Sequence, residues 1–377
     1  MDVFEVAGVF VEHARRVYGD EVGIICYYGS QARGDAGPNS DLDLVFIPDE
    51  GKAASLPACF LLEGRLFDFF LISWERAERL AGGVGCWAVG PSLIGDARIL
   101  YARSSEDRAR FEALQARVEE LKRPESRPAM VAGAAQTLRD ALTHLGNLRL
   151  AALEEDLPSA RCAAWRALIS SVDCLARVSQ VTFRRGWDSN LSEILDLPRR
   201  PEGLEGWITA IATAASVAAI AEAAESLLVA TRRIVLEEQR GLGGGGSVRE
   251  SFDSYYPEAH DMVTKVVARC ESGNRVGAAC KAAFLQEELA LFLAQALEGV
   301  PYSDTHLYAD FARHYRAAGF SGLLCDAPAN SALLAERVRT LDSQMRDWLT
   351  KHEIALNELS SLGELRAWLE TKEGSGS

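Results

Sequence analysis

Two acidic residues, Asp41 and Asp43, stand two positions apart at the start of the apolar segment 42–47 (LDLVFI). A segment of this kind predicts a β-strand, on which residues i and i+2 point to the same face. Carboxylate oxygens are ligands that Mg²⁺ prefers. The spacing therefore predicts a magnesium site to which Asp41 and Asp43 both contribute.

A third acidic residue, Asp68, lies within residues 66–70 (LFDFF), which also predict a strand. A lone carboxylate in an apolar strand is costly to bury unless it is paired or binds a metal. We expect Asp68 to complete the metal site; the alternative is that it ends the strand in solvent. Two divalent ions about 3.5–4 Å apart can stabilise both the attacking and the leaving oxygen of phosphoryl transfer.

Gly29-Ser30 directly follows residues 22–28 (VGIICYY), a predicted buried strand, and opens a turn. Glycine lets the backbone approach a phosphate closely. The Ser30 hydroxyl and the next N–H groups can donate to the β- and γ-phosphates, and Arg33 can add a charge-assisted contact. Neither short motif is specific alone, but their order on successive strands predicts a site for a nucleoside triphosphate and Mg²⁺.

Residues 28–34 (YGSQARG) and 40–43 (SDLD) resemble the G-S-x-A-R-G … S-D-x-D pattern of the polymerase-β-type nucleotidyltransferase superfamily. Residues 35–41 (DAGPNSD) are similar to a run in the kanamycin (aminoglycoside 4′) nucleotidyltransferases, which carry Glu where this chain has Asp43. The change keeps a carboxylate. The resemblance, over residues 1–240, implies metal-binding and catalytic roles for Asp41, Asp43 and Asp68 and nucleotide contacts for Gly29, Ser30, Arg33 and Ser40.

The resemblance continues more weakly along residues 139–149 (RDALTHLGNLR). They are similar to a family helix with a catalytic Glu and, four residues on, a Lys that contacts phosphate; Asp140 and His144 fall on these positions. Spacing of i, i+4 puts both on one helix face. Asp140 is then a candidate general base for the acceptor hydroxyl, and His144 a phosphate contact only when it can donate. Alternatively, both lie on the solvated helix face. Arg184-Arg185 can also contact phosphates, although a surface loop is the favoured interpretation.

The element pattern predicts an α+β chain of three domains and a linker. Residues 1–105 mix strands and helices, as expected of a nucleotidyltransferase catalytic domain with a mixed β-sheet flanked by helices. Residues 106–240 predict a helical bundle, residues 241–247 (GLGGGGS) a Gly-rich linker, and residues 248–373 a second all-α domain.

Apolar periodicity and turn residues place the individual elements. Glu63-Gly64 predicts a hairpin turn, and Ser73 predicts the N-cap of a helix starting at Trp74. The predicted strands are 22–28, 42–47, 58–62, 65–72 and 99–101. The other predicted helices are 3–17, 106–121, 130–153, 159–181, 188–195, 204–240, 260–272, 275–298, 305–318 and 331–356.

Composition bounds the partners and the compartment. The formal net charge of −14 argues against nucleic acid, whose binding needs basic patches, and suits a cationic small substrate. No apolar run reaches the ~18 residues of a membrane span, so we expect no membrane partner. Eight scattered cysteines without a C-x-x-C pair predict reduced, mostly buried thiols in a cytoplasmic protein.

Together these features predict a Mg²⁺-dependent nucleotidyltransferase, with ATP the expected donor and pyrophosphate the by-product. The acceptor would be a hydroxyl of a small molecule, either an aminoglycoside-like antibiotic in resistance or an intermediate in natural-product biosynthesis. The alternatives are a protein-modifying (AMPylating) or toxin–antitoxin-type regulatory enzyme, and a non-catalytic binding module. Because related enzymes share active sites between subunits, a homodimer is compatible with the resemblance.

Overall fold

The computed structural model describes residues 2–37, 40–53, 55–187, 190–299, 305–324 and 330–373. The chain divides into two compact units, Met1–Gln239 and Arg240–Ser377. The N-terminal unit contains a five-stranded sheet and helices, and the described part of the C-terminal unit is helical. The predicted α+β fold, a mixed-sheet domain followed by helices, is confirmed. The division of the first unit at residue 105 stays a prediction.

The sheet of the N-terminal unit has the strand order β3-β4-β2-β1-β5. Strands β2 and β4 are parallel, whereas the other neighbours are antiparallel, so the sheet is mixed as predicted. The parallel pair lies at the centre of the site described below. The strands are β1 (Val22–Tyr28), β2 (Leu42–Pro48), β3 (Ala58–Leu62), β4 (Arg65–Leu71) and β5 (Arg98–Ala102).

Apolar residues cover both faces of the central strands. Ile25, Leu44 and Phe46 pack on one face with residues of α1 (Val3–Tyr18). Because side chains alternate along a strand, their neighbours Ile24, Val45 and Ile47 pack on the other face. There they contact α3 (Trp74–Ala81) and α5 (Ser105–Leu121). Burial on both faces explains the continuous apolar runs of β1 and β2 in the sequence.

Two local predictions in this sheet region are confirmed. Glu63 and Gly64 both adopt positive φ, +52° and +78°, as a two-residue type I′ hairpin between β3 and β4 requires. The Ser73 hydroxyl caps α3 by accepting the Arg76 N–H at 3.1 Å. Three short elements were not predicted: α2 (Gly29–Arg33), α4 (Ser92–Gly95) and a 3₁₀ turn (Pro124–Ser126).

The rest of the N-terminal unit is helical. The predicted single helix over 204–240 is wrong, because Ala214 is extended and the Ser216 hydroxyl accepts the Ala219 N–H to start a new helix. The sequence does not indicate this break, because residues 207–224 are Ala-rich and contain no Gly or Pro. The predicted helix 188–195 begins at Leu191, and Asp188 lies outside the described residues. The helices are α6 (Arg127–Leu153), α7 (Leu157–Ser179), α8 (Leu191–Leu195), α9 (Leu204–Thr213) and α10 (Val217–Leu242).

In the C-terminal unit, two helices have different ends from those that the periodicity predicts. The helix expected from residue 260 begins five residues earlier, and the one expected to residue 356 ends at Lys351. Helices α11 and α16 were not predicted. The helices are α11 (Val248–Phe252), α12 (Tyr255–Glu271), α13 (Arg275–Glu298), α14 (Tyr308–Ala317), α15 (Ser331–Lys351) and α16 (Leu362–Glu373).

The Gly-rich segment between α10 and α11 is held close to the end of α13. A Cβ on Gly243 would collide with the Glu298 carbonyl oxygen, and one on Gly246 with the Gln295 carbonyl oxygen. The predicted linker 241–247 also begins inside α10, which extends to Leu242. Its glycines therefore allow close packing of backbone on backbone.

No described helix is both long and apolar enough to cross a membrane. The seven cysteines among the described residues are all unpaired, as expected of reduced thiols. The expectation that most are buried is wrong for these seven, because only three are buried and Cys86 is partly buried. Three are exposed: Cys59 on β3, Cys162 on α7 and Cys280 on α13.

A buried ion pair joins α7 to the segment that precedes α4. Arg177 Nε donates to Asp173 Oδ2 at 2.9 Å, and both side chains are less than one tenth exposed. Asp173 Oδ1 also accepts the Ala88 N–H at 2.6 Å. Arg177 donates to the Gly83 carbonyl at 3.1 Å and also to that of Gly85. These contacts satisfy charges and backbone groups that would otherwise be buried alone.

We expect Arg177→Met to lower the free energy of unfolding by about 3–5 kcal/mol, because it leaves the Asp173 carboxylate buried without its cation. Urea unfolding of the full chain measures this. The double variant Arg177→Met/Asp173→Asn should recover part of the loss by removing the buried charge. Arg149→Ala, which breaks the exposed pair with Glu225, should cost at most about 1 kcal/mol. A loss for Arg177→Met no larger than that would contradict the interpretation.

Candidate active site

The parallel pairing of β2 with β4 brings two of the predicted metal ligands side by side. Asp43 lies opposite Asp68 in the register of these strands. Asp41 stands immediately before β2, two residues from Asp43. Asp43 and Asp68 are both half-buried. The alternative for Asp68, a carboxylate at the solvated end of a strand, does not hold, because Asp68 lies in the middle of β4.

Like charges crowd this end of the sheet. Burial, followed by the charges of Asp41 and Asp68, raises the pKa of the Asp43 carboxyl to about 7. Burial and the same three carboxylates also raise the pKa of the Tyr28 hydroxyl. The three acidic residues are therefore near enough to repel one another, as expected of a site that becomes neutral when cations bind.

Gly29 sits where a side chain would not fit easily. Its φ is +74°, in the left-handed region that favours glycine, and a Cβ would come within 3.2 Å of Asp43 Oδ2. The turn after β1 therefore passes directly over the acidic residue of β2. The sequence predicts this close approach of the Gly29-Ser30 turn to the Asp pair, and the structure brings the two motifs together.

A cleft of about 350 Å³ opens beside this turn. It contains both motifs and the cationic residues that face them. Of the site residues predicted in the sheet domain, Asp68 and Ser40 are not part of its wall; the Ser40 hydroxyl accepts the Gly37 N–H at 2.8 Å. The lining residues are Tyr28, Gly29, Ser30, Arg33, Asp41, Asp43, Val89, Ser92, Asp96, Arg184, Arg185 and Gly186.

Arg33 lies at the end of α2 and faces the cleft. Its Nε donates to Asp35 Oδ1 at 3.1 Å, and its Nη1 donates to the Arg184 carbonyl oxygen at 2.5 Å. In this ion pair the Arg33 side chain is 14% exposed and that of Asp35 is 37% exposed. The phosphate contact predicted for Arg33 would require its guanidinium to exchange the surface carboxylate of Asp35 for a phosphate.

The structure does not bring Asp140 or His144 into this cleft. Asp140 is exposed on α6 and lines a second cavity, of about 440 Å³, with Gly85, Cys86 and Asp173 among its other walls. His144 lies one turn further along α6 with its Nδ1 buried and without a hydrogen-bond partner among the described residues. The base and phosphate roles of these two residues stay predictions.

Several residues of the cleft were not predicted from the sequence. Ser92 is the first residue of α4 and Asp96 follows its last; this four-residue helix is too short to show periodicity in the sequence. Arg184 and Arg185 were interpreted as a surface loop; they are indeed exposed, but that loop forms one wall of the cleft. The adjacent arginines were the only signal for them.

The chemistry of the acidic residues fits Mg²⁺. Within the described ranges, no group of three or more His, Cys, Asp or Glu side chains is arranged to enclose a metal ion. Magnesium does not need such a cage, since it usually binds one or two carboxylates together with water and substrate phosphates. Asp41 and Asp43, which line the same cleft, satisfy that requirement, with Asp68 next to Asp43.

Comparisons with known proteins divide the N-terminal unit between two families. Residues 12–80 match the nucleotidyltransferase domain, and residues 108–239 match the KNTase C-terminal domain. No curated protein matches the chain. Among solved structures, a nucleotidyltransferase-like protein from Exiguobacterium sibiricum is similar at 11% identity and a TM-score of 0.36, covering 60% of this chain and 74% of that one.

The raised pKa of Asp43 has a measurable consequence for stability. Between its ordinary value and about 7, the folded protein keeps a proton that the unfolded chain has lost, so stability falls as pH rises through this range. We expect Asp43→Asn to raise the thermal midpoint above pH 7 by roughly 2–4 °C, equivalent to about 1 kcal/mol, and to have no such effect near pH 4.

Differential scanning fluorimetry at pH 4 and pH 8, without divalent cations, measures both effects. Asp347→Asn, which neutralises an exposed carboxylate on α15, is the matched control and should leave the midpoint unchanged at both pH values. If Asp43→Asn were no more stable than the wild type at pH 8, the crowding of carboxylates at this site would be refuted.

Proposed function

We propose that this chain, in which residues 12–80 match the nucleotidyltransferase domain and residues 108–239 the KNTase C-terminal domain, transfers a nucleoside monophosphate from an NTP to a hydroxyl of a small molecule. The reaction depends on Mg²⁺ and releases pyrophosphate. The observation that carries the proposal is the approach of the Gly29-Ser30 turn to Asp43 in a polar cleft. The approach supports the proposal because a phosphate held by the turn and a metal ion held by Asp43 would then be neighbours.

The donor half of the reaction rests on the residues of this cleft. Asp41 and Asp43 would hold Mg²⁺, with Asp68 as their neighbour on β4, and the metal would supply positive charge next to the phosphate oxygens. The Ser30 hydroxyl donates to the phosphate tail, and Arg33 supplies a planar pair of donors. When the metal and the NTP are bound, the positive charge of the metal would offset the repulsion among the three carboxylates.

The cavity beside α6 and α7 is the candidate site for the acceptor. Its volume of about 440 Å³ falls within the roughly 300–1,000 Å³ of small-molecule sites. Gln136, Thr137, Asp140 and Ser170 give its wall hydrogen-bonding groups. A concave site of this size supports a small molecule over a protein acceptor. The net charge of −14 suits a cationic compound, such as an aminoglycoside-like antibiotic or a natural-product intermediate.

The first test of this function is Asp41→Asn. With Mg²⁺ present, we expect the variant to bind ATP at least 10-fold more weakly than the wild type, because a metal-binding carboxylate is lost. Isothermal titration calorimetry measures the affinity, and Asp347→Asn should bind as the wild type does. Equal ATP affinity of Asp41→Asn and wild type, with and without EDTA, would exclude a metal site at Asp41.

A second test concerns the acceptor. ATP labelled at the α-phosphate is incubated with aminoglycosides, other amino-alcohols and protein fractions, and label transfer is followed together with pyrophosphate release. We expect transfer to a small molecule. Label found on protein alone would favour the protein-modifying alternative. Release of pyrophosphate without label on any acceptor would show that the protein hydrolyses the NTP and does not transfer the nucleotide.

With the acceptor in hand, Asp140→Asn tests the proposed general base. General-base catalysis contributes about 10²–10⁴-fold, so we expect the transfer rate to fall at least 100-fold with ATP affinity unchanged. Asn147→Ala, at an exposed position on the same helix, should keep the rate within a factor of two. A rate for Asp140→Asn within threefold of the wild type would assign Asp140 to the solvated helix face.

A further inference from the structure

The loop of residues 182–187, here called the arginine loop, follows α7. It lines the cleft that contains Ser30 and Asp43, here called the donor cleft. Phe183 anchors it, since its side chain is fully buried and its N–H donates to the Ala88 carbonyl at 2.5 Å. The Phe183 ring also packs edge-to-face on Trp187, 6.2 Å between centroids. The loop is therefore attached to the bundle core on one side and to the segment before α4 on the other.

The backbone of the arginine loop is fixed by Glu193 of α8. The Glu193 carboxylate accepts the N–H of Arg184 at 3.1 Å and the N–H of Arg185 at 3.2 Å. A carboxylate that binds two successive N–H groups fixes the direction of the chain there. Both arginines line the donor cleft together with Ser30 and Asp43.

The arginine side chains currently contact carboxylates that a phosphate can replace. Arg185 Nη2 lies 3.2 Å from Asp35 Oδ2, and Asp35 also binds Arg33. Arg184 Nε lies 3.8 Å from Asp96 Oδ2. These pairs are solvent-exposed and therefore weak, while a phosphate offers the guanidinium fork a stronger and better matched partner.

We propose that Arg184 and Arg185 bind the β- and γ-phosphates of the donor nucleotide, and that Asp35 holds Arg185 at the cleft until the phosphates take its place. The inference rests on the proposed function, whose donor site it extends from the sheet to the helical part of the N-terminal unit. Arg33 donates to the Arg184 carbonyl, so the turn after β1 and the arginine loop would close on the phosphate tail together.

The test compares the affinities of Mg²⁺–ATP and Mg²⁺–pyrophosphate for the full chain by titration calorimetry. We expect Arg185→Ala to weaken both at least 10-fold and Arg184→Ala at least threefold. Arg185→Lys, which keeps the charge but loses the fork, should fall between Arg185→Ala and wild type. Arg149→Ala, an exposed and ion-paired arginine on α6, is the control and should bind as the wild type does.

Asp35→Asn separates phosphate binding from a structural role of the ion pair. If the Asp35–Arg185 pair only stabilised the cleft, removing either partner would weaken ATP binding. Under the proposal the two changes act in opposite directions: Arg185→Ala weakens binding, and Asp35→Asn leaves it unchanged or tightens it by removing a competing anion. Thermal midpoints within 2 °C, roughly 1 kcal/mol at this size, would confirm that each variant is folded.

The outcomes distinguish this proposal from the one it rests on. If the wild type bound neither ATP nor pyrophosphate in Mg²⁺, the donor site itself would be wrong, and this inference with it. If the wild type bound both, and the two alanine variants bound equally well, only the role of the arginine loop would be overturned. Weaker binding by Asp35→Asn and Arg185→Ala alike would also overturn it.

Discussion

Repulsion among three carboxylates at the end of β2 and β4 is the constraint around which the rest of the site is built. The parallel pairing sets Asp43 against Asp68, and Asp41 precedes the same strand. Burial of Asp43 increases the free-energy cost of this repulsion, in agreement with the raised pKa of its carboxyl. A destabilising cluster of this kind is typical of a site whose ligand compensates for the charge, and under the proposed function divalent cations with a polyphosphate would do so. The apolar sheet faces beneath provide the stability that this cluster opposes.

Three arginines line the same cleft as Asp41 and Asp43, and each of them is paired with another carboxylate in the free protein. Arg33 and Arg185 share Asp35, and Arg184 faces Asp96. A cleft lined by unpaired arginines would bind anions indiscriminately, whereas exposed ion pairs hold the guanidinium groups in place at little energetic cost. Gly29 also shapes the cleft, because it has no side chain and the turn after β1 can approach the Asp43 carboxylate closely.

Local chemistry made the sheet and the donor motifs predictable from the sequence. Strand β1 has the predicted limits, and the turn at Glu63-Gly64 has the expected positive φ, because apolar runs and turn residues determine both over a few positions. The break at Ala214 was missed because no Gly, Pro or charge marks it, and α4 was missed because four residues are too few to show helical periodicity. The arginine loop was judged a surface loop because its place in the cleft depends on tertiary contacts: the buried Phe183, and the two N–H groups bound by Glu193.

The segment from Gly83 to Ser92 links the two halves of the proposed reaction. Gly83, Gly85 and Cys86 line the cavity that also contains Asp140, whereas Val89 and Ser92 line the donor cleft. The buried pair Asp173–Arg177 fixes this segment to α7, and the Phe183 N–H fixes it to the arginine loop. A shift of the segment would therefore alter both cavities at once, because packed interiors transmit displacement. Under the proposed function, the relative positions of donor and acceptor thus depend on the tertiary contacts of this segment, and a family signature confined to β1 and β2 cannot contain them.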